Sequence, residues 1–229
     1  MARQKRPVQI APSIICADWR MIEAHLKILE KLPVDWIHCD IMDGHFVPNI
    51  TFGPEIQAKI HALTKVPIDT HLMIEDPDRY IEAFVKSGSR LISVHSETLV
   101  HLDRTLRLIA SFGAIPAVAI NPATPLSSIE CVLDLCGLVL VMTVNPGFAG
   151  QKLVPYAIDK IARLRAMIDA RGLDIDIQVD GNVSFANIPR MIGAGANVLV
   201  AGTSSLYIKG RPVEDCYAEL KRAIDRSQT

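Results

Sequence analysis

The chain has no hydrophobic run that could cross a bilayer. Its most apolar stretch, Gly137 to Val144, is strand-sized, far short of the roughly 20 residues that a spanning helix needs. Neither sign of charge is in excess. Lys and Arg number 24 against 25 Asp and Glu, for a formal net charge of -1. That argues against nucleic acid or a membrane surface as a bulk partner. No CxxC pair occurs among the five cysteines, Cys16, Cys39, Cys131, Cys136 and Cys216. An odd, unspaced set suits a reduced, cytoplasmic protein. The basic start, Met1 to Arg6, is followed by no apolar run of signal-peptide length. Four chemical signatures are missing as well. No HExxH is present, and no GxGxxG follows the first strand, which disfavours an open dinucleotide-binding sheet. No lysine stands at the end of a strand, so a Schiff-base aldolase is disfavoured. No strand-end cysteine has a base beside it, which removes thiol chemistry.

What is present is a balanced α/β sequence. Over 229 residues, 49% are apolar and 21% charged, as in a soluble folded protein. The length allows one α/β barrel or two small domains. Strand-like runs alternate with helical ones. Strands are expected at 8–13, 35–41, 67–73, 91–95, 115–120, 138–144, 176–179 and 198–201. Helices are expected from Asp18 to Leu32, from Pro54, from Asp76-Pro77 to about Gly88, and over 102–110, 127–135, 155–171, 185–192 and 213–226. Asp18 reads as an N-cap and Pro54 as a first-turn proline. Several strands are apolar on both faces, as when helices cover both sides of a parallel sheet. Eight such units with no break in composition predict a single α/β domain over 1–229, a (β/α)8 barrel.

Chemistry in such a barrel sits at the carboxyl ends of the strands. The stretch from Trp36 to His45 is the most telling. Side chains alternate along a strand, so His38, Asp40 and Met42 share one face. Buried there, His and Asp must be paired or hold a metal. The third strand repeats the pattern with Asp69, His71 and Met73. The other strand ends offer Ser13, His95, Asn121, Met142 and Asp180. His38, Asp40, His71 and Asp180 make a plausible site for one divalent ion, with zinc, manganese, iron or cobalt all suited to two imidazoles and two carboxylates. Asp40 and Asp180 also fit a proton-transfer pair whose acidities are set apart by their surroundings. After the last three strands come small, Gly-rich loops containing Gly147, Phe148, Ala149, Gly150, Gly181, Asn182, Gly202 and Thr203. Backbone N–H groups in such loops can approach a phosphate closely. Met42, Met73 and Met142 could line a reactive intermediate with apolar, polarisable surface.

These residues resemble the ribulose-phosphate 3-epimerase family. The likeness runs from Ile10 to about Leu206. Its carriers are Ala11-Pro12-Ser13-Ile14, the run from His38 to Asn49, Asp69-Thr70-His71-Leu72-Met73, the runs from Asn121 to Pro125 and from Val141 to Gln151, and Val179-Asp180-Gly181. The resemblance implies a metal-dependent isomerase that inverts C3 of a ketose phosphate, D-ribulose 5-phosphate to D-xylulose 5-phosphate. It implies His38, Asp40, His71 and Asp180 as metal ligands, Asp40 as proton acceptor and Asp180 as proton donor. Ser13 and His71 correspond to substrate contacts, and the three methionines to the lining of the intermediate. Gly147 to Gly150, Gly181, Asn182, Gly202 and Thr203 correspond to the phosphate side. It also implies a homo-oligomer, dimer or hexamer. Ala149, Asn182 and the Gly202-Thr203-Ser204-Ser205 run depart from the usual family pattern, and several of these places, Ala149 and Gly202-Thr203-Ser204 among them, are similar to the D-allulose-6-phosphate 3-epimerases, so a hexulose phosphate is the alternative substrate. A non-catalytic sugar-phosphate-binding barrel is the remaining alternative.

Overall fold

A computed structural model describes residues 6–227. The basic amino-terminal stretch, apart from Arg6, lies outside them. Eight strands form one parallel sheet: β1 Gln9–Pro12, β2 Ile37–Met42, β3 Ile68–Met73, β4 Ser89–His95, β5 Ile115–Ile120, β6 Leu138–Met142, β7 Asp176–Asp180 and β8 Val198–Ala201. Their order runs β1-β8-β7-β6-β5-β4-β3-β2. The seam between β1 and β2 is closed by a bridge from Ser13 to His38. It is backed by Ile10, whose N–H donates to Asp35 Oδ2 at 2.8 Å and whose carbonyl accepts from the Asp35 N–H at 3.0 Å. The sheet is therefore a (β/α)8 barrel.

Among the described residues, seven α-helices pack outside it: α1 Ile22–Lys31, α2 Pro54–Leu63, α3 Ile81–Lys86, α4 Leu102–Ser111, α5 Ala157–Ala170, α6 Ile188–Gly193 and α7 Val213–Asp225. The larger apolar core lies between strands and helices, with Phe84, Leu106, Leu164 and Leu220 among its buried members. A smaller one fills the barrel with Ala11, Leu91, Ala117, Ala119, Leu138, Leu140 and Val198. Both faces of the sheet are covered, which is why strands such as β6 and β8 read as continuous apolar runs.

The expected elements differ from the structure mainly at their ends. The stretch after Asp18 begins as a 3-10 turn, Trp19–Met21, and α1 starts only at Ile22; Asp18 caps that turn by accepting the Arg20 N–H. Asp76 takes a left-handed conformation with φ +46°, so Pro77 opens a 3-10 turn and α3 begins at Ile81. The helix expected at 127–135 is two 3-10 turns, Leu126–Ser128 and Glu130–Leu135. The first opens directly after Pro125, and the second ends at Leu135, just before Gly137. The sixth strand stops at Met142 rather than Val144: the Thr143 N–H makes the last ladder bond, to the Asp180 carbonyl at 2.7 Å, and β7 then turns away at Gly181, whose φ is +113°. The helix expected at 185–192 forms over Ile188–Gly193, since the turn Asn182–Asn187 occupies its start.

Candidate active site

Register builds the site. Between β2 and β3, His38 lies beside Asp69, Asp40 beside His71, and Met42 beside Met73. Between β6 and β7, Leu140 lies beside Gln178 and Met142 beside Asp180. The inward faces of these strands thus carry polar groups at matched heights. His38, His71 and His95 are fully buried, and Asp40 nearly so.

One nitrogen of His38, one of His71, and one oxygen each of Asp40 and Asp180 all lie within 4.8 Å of one another. His38 Nε2 and His71 Nδ1 are each 3.2 Å from Asp40 Oδ1. His71 Nδ1 is 3.7 Å from Asp180 Oδ2. Ser13 donates its hydroxyl to Asp40 Oδ2 at 2.6 Å, across the barrel seam. The four residues expected as metal ligands are therefore one cluster, and its donor set suits a divalent ion.

The two carboxylates differ in ionisation. Burial would raise Asp40, but the charge of His38 and the hydrogen bonds of His38 and His71 outweigh it and hold the carboxyl well below its usual range. Burial, followed by the charge of Asp40, pushes Asp180 up to about 7. Burial would also lower His38, yet the charges of Asp40 and Asp69 raise it well above its ordinary value. His71 is lowered, first by burial.

Above the cluster lies a cleft lined by Ser13, Met42, Met73, Met142, Gly147, Phe148, Ala149, Gly150, Gly181, Asn182, Gly202 and Thr203, while Asp69, His95 and Asn121, also singled out at strand ends, are not part of its lining. His38 and His71 sit behind its floor. The loop after β6 is held by Gln151, whose Nε2 donates to the carbonyls of Asn145 at 2.6 Å and Phe148 at 2.9 Å. Asn49 Nδ2 ties the loop after β2 to the Gly147 carbonyl at 2.8 Å. Asn182 Nδ2 donates to the Gln151 carbonyl at 2.6 Å, linking the loops after β6 and β7. Gly181 has φ +113°, and a Cβ there would meet Val144 Cγ2 at 2.5 Å and its backbone N at 2.8 Å. Only glycine fits that position.

Several residues around the cluster had been given no role. Asp69 Oδ2 lies 2.6 Å from His38 Nδ1 and accepts from Gln178 Nε2 at 2.5 Å. His95 Nε2 lies 2.9 Å from His71 Nε2, and His95 Nδ1 lies 3.0 Å from Glu97 Oε2. Cys16 lines the cleft, its thiol pushed up to about 11, mainly by burial. The signal for Asp69 and Gln178 was period-two spacing, two residues before His71 and Asp180. Nothing local marked His95 as the neighbour of His71, because the two meet only across β3 and β4.

Fold and site define the class: a (β/α)8-barrel enzyme with its chemistry at the carboxyl ends of the strands. Among solved structures, a mutant tryptophan synthase alpha-subunit from Pyrococcus furiosus superposes with a TM-score of 0.69 at 14% identity, covering 97% of this chain and 100% of the other. That likeness speaks for the fold alone. The family model of the ribulose-phosphate 3 epimerase family matches residues 9–207. "Ribulose-phosphate 3-epimerase" of Bacillus subtilis is 49% identical over 198 residues, which are 86% of this chain and 91% of that protein. "Ribulose-5-phosphate-3-epimerase, chloroplastic" of Arabidopsis thaliana is 43% identical over 226 residues, 98% of this chain and 78% of that one. The chain belongs to the ribulose-phosphate 3-epimerase family and is an isomerase.

Proposed function

We propose that the chain, as one catalytic domain, interconverts D-ribulose 5-phosphate and D-xylulose 5-phosphate by proton transfer at C3. The observation that carries this is the Asp40–Asp180 pair. The two carboxyls share one buried cluster, and their acidities are pushed in opposite directions. One is ready to take a proton and the other to give one.

His38 Nε2, Asp40, His71 Nδ1 and Asp180 would hold one zinc, manganese, iron or cobalt ion. Bound there, the ion supplies Lewis-acid polarisation of the ketose oxygens, which acidifies the C3 proton. Asp40 accepts that proton as the C3–H bond breaks, and the electron pair moves toward the C2 carbonyl to give an enediolate. Asp180 delivers a proton to the opposite face of C3, forming the new C–H bond and inverting the centre. Ser13 holds Asp40 by its Oδ2. Met42, Met73 and Met142 exclude water around the planar intermediate. The loops carrying Gly147 to Gly150, Gly181, Asn182, Gly202 and Thr203 take the phosphate, so that both carboxyls address one carbon. All five cysteines are free thiols, as expected in a reducing compartment such as the cytoplasm. Homo-oligomerisation, as dimer or hexamer, belongs to the same reading.

Ala149, Asn182 and Thr203 all line the cleft, which supports a second reading with the same chemistry on D-allulose 6-phosphate. Proton NMR in D2O with each sugar phosphate and metal-loaded protein tests both. Deuterium at C3 together with the C3 epimer is expected, faster with the true substrate. Exchange without the epimer would show that Asp180 does not deliver the second proton. No exchange with either sugar, with metal bound, would leave a sugar-phosphate-binding barrel.

A further inference from the structure

The two imidazoles of the cluster are supported differently. His38 turns Nδ1 directly to a carboxylate, Asp69. His71 turns Nε2 not to a carboxylate but to a second imidazole, His95. The rings lie edge to edge. Their centroids are 5.0 Å apart with 27° between the planes, while the facing nitrogens are 2.9 Å apart, too close for face-to-face stacking. Two nitrogens at that distance need one proton between them. Two N–H groups would repel, and two lone pairs would leave a buried pair unsatisfied.

The far side of His95 decides which nitrogen carries the proton. His95 Nδ1 faces Glu97 Oε2 at 3.0 Å. The Asn121 N–H donates to Glu97 Oε1 at 2.7 Å and the Thr124 hydroxyl donates to the same oxygen, and bonds into a carboxylate favour its ionised form. An ionised carboxylate only accepts, so the proton on that side belongs to His95 Nδ1. The His95 Nε2 lone pair then faces His71, His71 Nε2 carries the proton, and His71 Nδ1 presents its lone pair to Asp40 and Asp180.

Building on the metal-centre reading above, we propose that Glu97 and His95 are positioning residues. Through a chain of oriented hydrogen bonds, Glu97 to His95 to His71, they select the His71 tautomer that can bind a divalent ion. Ligating imidazoles usually take such support from a carboxylate or carbonyl in direct contact, and its loss costs about 10–100-fold in metal affinity. Here the carboxylate acts one imidazole further away. Phe46 packs against His95 with ring centroids 4.7 Å apart, and full burial of both histidines keeps water from substituting for the chain.

The test uses the full chain loaded with zinc, and two readouts that do not depend on turnover. Nitrogen-15 NMR of the histidine rings in the wild-type protein is expected to show His95 protonated at Nδ1 and His71 at Nε2. Competition with a chromophoric chelator is expected to show zinc affinity about 10–100-fold weaker in Glu97→Gln, in which the amide can offer His95 a donor and release its tautomer. Thr124→Val, which removes one support of Glu97 but not the carboxylate, is expected to keep wild-type affinity. His95 protonated at Nε2 in the wild type would overturn the proposal, as would unchanged zinc affinity in a folded Glu97→Gln protein. If that variant does not fold, the wild-type spectrum decides. If the wild type fails to bind zinc, manganese, iron or cobalt, the metal-centre reading falls and this proposal with it. Binding with the wrong His95 tautomer overturns this proposal alone.

Discussion

Asp40 and Asp180 show how far surroundings can separate two copies of one side chain. Asp40 touches His38, His71 and Ser13 and is held ionised. Asp180 has burial and a negative neighbour against it, which push its carboxyl up to about 7. The proposed roles make a sharp prediction at this scale. Asp180→Asn cannot supply the second proton, so epimer formation is expected to fall by about 10²–10⁴-fold. The C3 epimer whose proton Asp40 removes should still exchange deuterium, while the other should not. NMR in D2O, run separately on each epimer, checks it. Equal loss of exchange from both epimers would count against the division of labour.

Two predictions belong to the scale of the element. α2 buries Ile60 in the apolar core and one polar side chain, Gln57, completely. Its Nε2 donates to Ser87 Oγ at 2.9 Å and Ser89 Oγ at 2.7 Å, and its Oε1 accepts from Thr70 Oγ1 at 3.0 Å. Gln57→Ala leaves those hydroxyls short of a buried partner and is expected to cost about 1–3 kcal/mol. Urea unfolding measures it, and C3 exchange should survive, since Thr70 faces away from His71. The second concerns the turn after β4. Burial opposes ionisation of Glu97, but its bonds to His95, Thr124 and Asn121 prevail and lower it to about 2 from 4.5. A lowered carboxylate stabilises the fold fully above its unfolded value and loses that contribution as pH falls through its folded one. The stability advantage of the wild type over Glu97→Gln should therefore be constant above about pH 5 and shrink between about 4.5 and 2. Melting temperatures across that range test it; a gap that widens in acid would refute the assignment. Elements are also where sequence reading was only partly sufficient. Strand centres followed from short apolar runs between turn formers, and β5 and β8 match residue for residue. The helix starts at Pro54, Leu102 and Val213 match as well, whereas those after Asp18, Asp76 and Pro125 did not follow, because 3-10 turns form there first.

For the whole molecule, a divalent ion would join β2, β3 and β7 through one point. Neighbouring strands β1 and β2 meet there too, by the Ser13–His38 bridge and the Ser13 hydroxyl on Asp40. Metal binding is thus expected to stabilise the closed barrel as a unit. At a free metal concentration 100 times Kd the gain is about 2.7 kcal/mol. In a chain of this length that raises Tm by roughly 5–10 °C. Calorimetry with and without chelator measures the shift, and no shift in a protein shown to bind metal would mean that the unfolded chain binds it as well.

Sequence alone determined which face each side chain takes, because strand alternation is a local property of the backbone. From it came the eight strands, the inward set His38, Asp40, His71 and Asp180, and the three small-residue loops. The family likeness followed from the same stretches. Only the tertiary structure decided which inward groups touch. Asp69 beside His38, His95 behind His71, and Gln178 on Asp69 join strands separated by 24 to 109 positions. Those contacts depend on strand register and on closure of the barrel. Both are set by packing around the whole ring, and no local stretch of chain encodes them.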